Sequence, residues 1–249
     1  MILTIVTLFL ALAEPQENVI NRAAQMAESF WTQFTAVQCA ERVVQNKLRT
    51  DGKVTVTRTS EFDYVAFLKE EGSGFSVEES RVQRSAAPSE PQQHLLLTSG
   101  FPALLLMFHP DFRSRFVFEE GTADENRGGA VRVIFKSKPE AHSMSGLKLK
   151  DRLYPILWKG TAWLDPTSGA VRRIEAALAA PMDDIGLADL RAEVEYAPAS
   201  FAGAQQPFWL PARATISVKT LRQEWRNVHE FSQYKRFSVS TSTRENESK

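Results

Sequence analysis

Residues 158–178 read WKGTAWLDPTSGAVRRIEAAL, and the punctuation of this stretch decides the fold class. Apolar, β-prone residues run up to Trp163 and Leu164 and resume from Val171 to Ile174. Between them, Asp165-Pro166-Thr167-Ser168-Gly169 carries turn chemistry. Pro166 presets its φ, Asp165 can accept from the backbone ahead of it, and Gly169 can take a positive φ without steric cost. A β-hairpin is predicted. It contains no reactive group in a catalytic setting.

Working outward, the second half of the chain reads as antiparallel strands at 112–119, 130–136, 157–164, 170–178, 187–196, 208–219 and 225–240. The connections at 120–129, 137–152, 181–186 and 198–206 are polar and rich in Gly, Pro, Asp and Ser. Short turns between consecutive strands predict a meander. The first half adds three long strands with a period of two, at 37–48, 53–69 and 75–84, joined through Thr50-Asp51-Gly52 and Glu71-Gly72-Ser73-Gly74.

Two apolar segments break that period. From an Asn18 N-cap, Val19, Ala23, Met26, Ala27, Phe30 and Phe34 recur at steps of three and four, which predicts an amphipathic helix laid on a sheet face. Residues 95–108 are apolar and bracketed by Gly100, Pro102 and Pro110. Thr98 or Ser99 as a cap and Pro102 early in the helix predict a short buried helix ending at Phe108, with His109 in a charge–dipole or solvent role at its end.

At the N-terminus, the apolar run 2–12 is too short to span a membrane and ends in the small-x-small pattern Ala11-Leu12-Ala13. Residues 1–13 are expected to be a signal peptide, cleaved before Glu14, although no Lys or Arg precedes the run. The rest divides into one domain, 14–240, and a polar tail, 241–249. The mature chain is expected to be soluble and periplasmic or otherwise exported.

Composition removes several functions. Lys and Arg total 30 and balance 30 Asp and Glu. With no net field to steer polyanions, nucleic acid is not an expected partner. Cys39 is the only cysteine, so no intramolecular disulfide can form, and it reads as a small strand hydrophobe. No G-x-S-x-G elbow, H-E-x-x-H pair or Gly-rich phosphate loop occurs. His94, His109, His142 and His229 lack zinc-ligand spacing, and Asp183-Asp184 reads as a solvated turn. The chain is therefore not expected to be an enzyme, and neither a cofactor nor a metal is expected.

Several strands share an apolar face built partly from small residues. Gly160, Ala162 and Leu164 lie together, as do Ile174, Ala176 and Leu178. Leu190, Ala192 and Val194 continue the face, followed by Leu210, Ala212, Ala214, Ile216 and Val218. Small side chains leave volume that something else must fill. Either helices fill it, or the face lines an apolar ligand pocket. The candidate lining is Ala162, Ile174, Leu190, Ala192, Val194, Ala212, Ala214 and Ile216.

Together with the order of elements, Gly160-x-x-Trp163-Leu164-Asp165…Gly169…Arg173-Ile174-Glu175, Trp209-Leu210-Pro211 and Tyr234-Lys235-Arg236-Phe237 carry a family likeness. The chain resembles the LolA/LolB-like lipoprotein-carrier superfamily, which includes RseB-like N-terminal domains. No counterpart of that family's cavity-closing arginine is carried over. The resemblance implies an α+β, mostly β fold: a curved antiparallel half-barrel, or incomplete β-barrel, with helices on its inner face. It implies a lipid or a lipoprotein acyl chain as the ligand. An envelope adaptor or stress sensor that pairs with a protein partner and carries no lipid would use the same fold.

Overall fold

A computed structural model describes residues 18–33, 36–71, 74–84, 102–140, 143, 145–149, 152–204 and 206–237. The expected signal peptide, the tail 241–249, Phe34, Thr98, Ser99, His94 and His142 lie outside the described residues, as does the side chain of Phe30.

The chain opens with α1 (Val19–Gln33), continues through β1 (Ala36–Leu48), β2 (Val54–Glu71) and β3 (Gly74–Gln83), and then forms a 3-10 helix, Pro102–Phe108. Next come α2 (Pro110–Arg113), β4 (Phe116–Asp124), β5 (Ala130–Ser137), β6 (Ser145–Leu149) and β7 (Arg152–Ile156). The hairpin strands β8 (Trp158–Leu164) and β9 (Val171–Leu178) follow, and then β10 (Leu187–Ala199), β11 (Phe208–Thr220) and β12 (Glu224–Phe237).

Ten strands form one antiparallel sheet in the order β3-β2-β1-β12-β11-β10-β9-β8-β5-β4. The sheet is not closed into a barrel, and the mostly β architecture is an open half-barrel with few helices. The predicted hairpin is present, paired from Trp158↔Leu178 to Leu164↔Val171.

A plain meander does not describe the order. The last strand, β12, pairs with β1, so the first three strands extend the sheet beyond its C-terminal end. This puts β3 and β4 at opposite edges, and the chain between them must travel the width of the sheet. The apolar 3-10 helix lies on that path and packs against α1, β9 and β11. Its Leu104–Phe108 side chains are buried.

Three sequence expectations need local correction. Phe112 sits in α2 rather than in a strand, because Pro110 at the first turn favours helix; β4 begins only at Phe116. The span 137–152 contains β6, which pairs with β7 as a separate two-stranded hairpin. The buried segment before His109 is a 3-10 rather than an α-helix.

Asn18 caps α1, with its Oδ1 accepting from Asn21 N–H at 2.9 Å. Val19, Ile20, Ala23, Ala24 and Ala27 are buried, while Gln25 and Glu28 face out. The hairpin turn holds the helix. Asp165 Oδ1 accepts from Thr167 N–H at 3.0 Å and Ser168 N–H at 2.8 Å, and Arg22 Nη2 donates to Pro166 O at 2.7 Å. Gly169 adopts φ +73°, and a Cβ there would lie 2.4 Å from the Arg22 carbonyl carbon. Gly160 is equally constrained: its Cβ would stand 2.8 Å from the ring of its cross-strand partner Phe135.

Candidate functional site

The inner face under α1 and the 3-10 helix is organised in rows set by strand register. One row runs Val133, Ala162, Ile174, Val194, Ala214 across five strands. The next runs Gly160, Ala176, Ala192, Ile216. Leu190 pairs with Val218 in a third. Ala162, Ile174, Leu190, Ala192, Val194, Ala214 and Ile216, seven of the eight candidate lining residues, are buried in one core.

Ala212 is the exception. Glu195 pairs with Arg213 and Tyr196 with Pro211, which leaves Ala212 as the extra residue of a β-bulge. It is half-buried and off the row of Ala214, because the extra residue shifts the alternation of sides.

Large side chains fill the volume above the small ones. Phe108, Met107, Trp158 and Phe135 are each at most 1% exposed. Beneath α1 a pocket of about 20 Å³ is lined by Ala23, Met26, Ala27, Leu105, Val171, Phe208 and Trp209, room for about one water-sized group. Beside it, a groove of about 540 Å³ runs between α1 and the β10–β11 connection. Its rim is polar, with Arg22, Gln25, Ser29, Ser168 and Gln206. Met26 and Phe208 line both the groove and the pocket behind it.

From β12 onward the same inner face becomes polar. Ala214 pairs with His229, which pairs with Val43; Ile216 pairs with Asn227, which pairs with Gln45. In the middle of β1, Glu41 has a fully buried side chain. It accepts from Arg81 Nε at 2.5 Å, from Arg81 Nη2 at 3.0 Å, and lies 2.8 Å from His229 Nδ1. Arg81 Nη1 also reaches Glu79 at 3.3 Å, and the guanidinium stacks over Tyr64 at 4.8 Å. Phe231 contacts both Tyr64 edge-on and His229 face-on. Desolvation alone would raise the Glu41 pKa. The hydrogen bonds and charges of His229 and Arg81 outweigh it and hold Glu41 below the ordinary carboxylate range.

Sequence reasoning missed this cluster. Its one local signal was a carboxylate at an inward position of an apolar strand, between Cys39 and Val43. The partners are 40 and 188 residues away, so only pairing across four strands assembles them.

Cys39 lies next to the cluster, and burial pushes its thiol up to about 12. It is a buried strand residue, as expected. His109 is also buried, and its Nδ1 caps α2 by accepting from Asp111 N–H at 3.3 Å; burial lowers its pKa, against the pull of Asp111. His109 thus sits at the end of the 3-10 helix, where its backbone N–H donates to Leu106 O at 2.9 Å, and also at the start of α2, and it is buried and not facing solvent. Asp183 and Asp184 sit in an exposed 3-10 turn. Among the described residues, no group of three or more His, Cys, Asp or Glu could hold a metal, and no helix is long and apolar enough to cross a membrane.

No family model matches this chain, and no curated protein matches it in sequence. Two solved structures follow its course. One is a DUF1329 family protein from Desulfovibrio piger, 11% identical, covering 91% of this chain and 96% of its own, with a TM-score of 0.43. The other is an outer membrane lipoprotein-sorting protein domain from Vibrio parahaemolyticus, 10% identical, covering 89% and 95%, with a TM-score of 0.46.

Proposed function

We propose that the chain is an exported, non-catalytic binding protein. It holds an apolar ligand, a lipid or the acyl chain of a lipoprotein, between α1 and the inner face of the half-barrel. The observation that supports this reading is the junction at Met26 and Phe208. An open groove with a polar rim meets an apolar pocket there, and the two share those side chains. A polar rim over an apolar interior suits a ligand with a wet head and a dry tail. The pocket has little free volume, so binding requires α1 or the 3-10 helix to move outward and the ligand to replace Leu105 and its neighbours. Export is supported by the apolar run 2–12 and Ala11-Leu12-Ala13.

A second reading is an adaptor that pairs with a protein partner through a sheet edge. Each of β3 and β4 has a single strand neighbour in the described sheet, and Val82 and Val117 on them are 62% and 59% exposed.

Native mass spectrometry of the protein purified without detergent, followed by titration with a fluorescent fatty acid, separates the two. Co-purified lipid and saturable binding that is weakened by Met26→Trp support the carrier. Absence of both removes it in favour of the adaptor.

A further inference from the structure

The outer face of the sheet carries a feature that the apolar-ligand reading does not use. A groove of about 1020 Å³ crosses β8 to β12 on the face opposite α1. Strand register places one row of its lining in a simple alternation. Lys159 pairs with Ala177, Ala177 with Arg191, Arg191 with Ser217, and Ser217 with Arg226. The row thus reads cation, small, cation, small, cation. Strands lie about 4.8 Å apart, so successive cations are anchored roughly 10 Å apart, with room between them.

The groove also contains acids: Asp189 is paired with Arg191 in the row itself, while Glu175 and Glu193 are held by arginines outside the lining. Arg173, outside the lining, donates to Glu175 at 2.9 Å and to Glu193, and Arg127 lies 3.6 Å from Glu175. Within the cationic row, Arg191 Nε donates to Asp189 at 2.7 Å and Lys159 Nζ contacts Ala179 O at 3.4 Å. Arg226 makes no ion pair among the described residues.

We propose that this groove docks an acidic segment of a partner protein in polyproline II conformation, with carboxylates at about every third residue. Three residues of that conformation span about 9 Å and return the side chain to the same face, which matches the step between the cations. The neighbouring Glu175 and Glu193 set the occupant's charge density. A dense polyanion such as nucleic acid or polyphosphate would be forced against those carboxylates, whereas a peptide can place neutral residues beside them. Ala179, Ala180, Pro181 and Ala188 at one end of the groove offer apolar contact to the same segment.

The test is fluorescence anisotropy with the full mature chain and a labelled peptide of about twelve residues, an Asp-Pro-Ser repeat that favours polyproline II and carries an acid at every third position. The controls are a peptide of the same composition with its acids contiguous, inorganic polyphosphate, and vesicles containing an anionic lipid. The spaced peptide should bind, and more weakly as salt shortens the screening length. Arg226→Glu and Lys159→Glu should each weaken binding by about fivefold or more, while the equal charge change at the exposed Lys235, Lys235→Glu, toward the other end of β12, should not. Preference for the contiguous peptide, polyphosphate or vesicles overturns the proposal. So does equal loss in Lys235→Glu, or no binding of the spaced peptide. None of these outcomes depends on whether the inner face carries a lipid.

Discussion

Across β8–β11 the inner face presents Ala162, Ile174, Val194 and Ala214; across β12, β1, β2 and β3 the same face presents His229, Glu41, Tyr64 and Arg81. One continuous sheet therefore buries two kinds of surface. The apolar half is stabilised by area removed from water, which is non-directional and tolerates change of shape better than loss of volume. The ionic half depends on each charge keeping its partner, because a buried ion without one is far more costly than the pair is favourable. The two halves should therefore fail differently, and four single substitutions and one double variant test whether they do.

The largest effect is expected in the ionic half. Glu41→Leu removes two of the hydrogen bonds on the Arg81 guanidinium, whose side chain is only 7% exposed, and should cost about 3–5 kcal/mol in urea unfolding. Replacing both, as Glu41→Leu with Arg81→Met, should return only part of that loss, because the contact between Arg81 and the buried Glu79 goes as well. Equal loss in the single and double variants would mean that packing, and not charge pairing, holds this half together. The pair also has a pH signature. The folded-state pKa of Glu41 is lowered, so its contribution is present above the unfolded carboxylate pKa of about 4.3 and is lost as pH falls through the folded value. The double variant should show a flatter decline of stability below about pH 4.

Next comes the contact that fixes α1 over the apolar half. Gly169→Val combines a left-handed backbone at φ +73° with a Cβ 2.4 Å from the Arg22 carbonyl carbon. A cost of about 2–4 kcal/mol is expected, from backbone strain plus overpacking. The melting temperature should fall, and α1 should become more open to proteolysis. A variant as stable as the parent would show that the helix does not need its seat on the hairpin turn.

Within the apolar half the effects are smaller. Ala214 is 1% exposed and faces Val194, so Ala214→Leu should cost about 1–3 kcal/mol by overpacking. If thermal unfolding instead shows stability held or raised, free volume exists in this layer. Ala212, half-buried at the bulge, should accept Leu within about 0.5 kcal/mol, the smallest change of the four. A larger loss there than at Ala214 would contradict the register across β10 and β11.

Much of the fold was legible because its signals are local. Asp165-Pro166 and Gly169 specify a turn whatever surrounds them, and the alternation in β9, β10 and most of β11 marks which side is buried. The helical spacing from Val19 likewise announces α1. These features depend on neighbours within a few residues, and the chain's own stereochemistry enforces them. The register at Ala212 was not legible, because a bulge depends on the partner strand and leaves no mark in composition. Nor was the strand order. That β12 lies against β1, placing β3 and β4 at opposite edges of the sheet, follows from which edges meet after collapse. The ionic cluster is the extreme case: Glu41 reads as an exception in a strand until Arg81 and His229 arrive from 40 and 188 residues away. By itself, the sequence determined the hairpin, α1 and the alternating faces, since these are local preferences of the backbone. Only the tertiary structure decided where apolar gives way to ionic, because a buried charge is stable only where distant strands bring its partners.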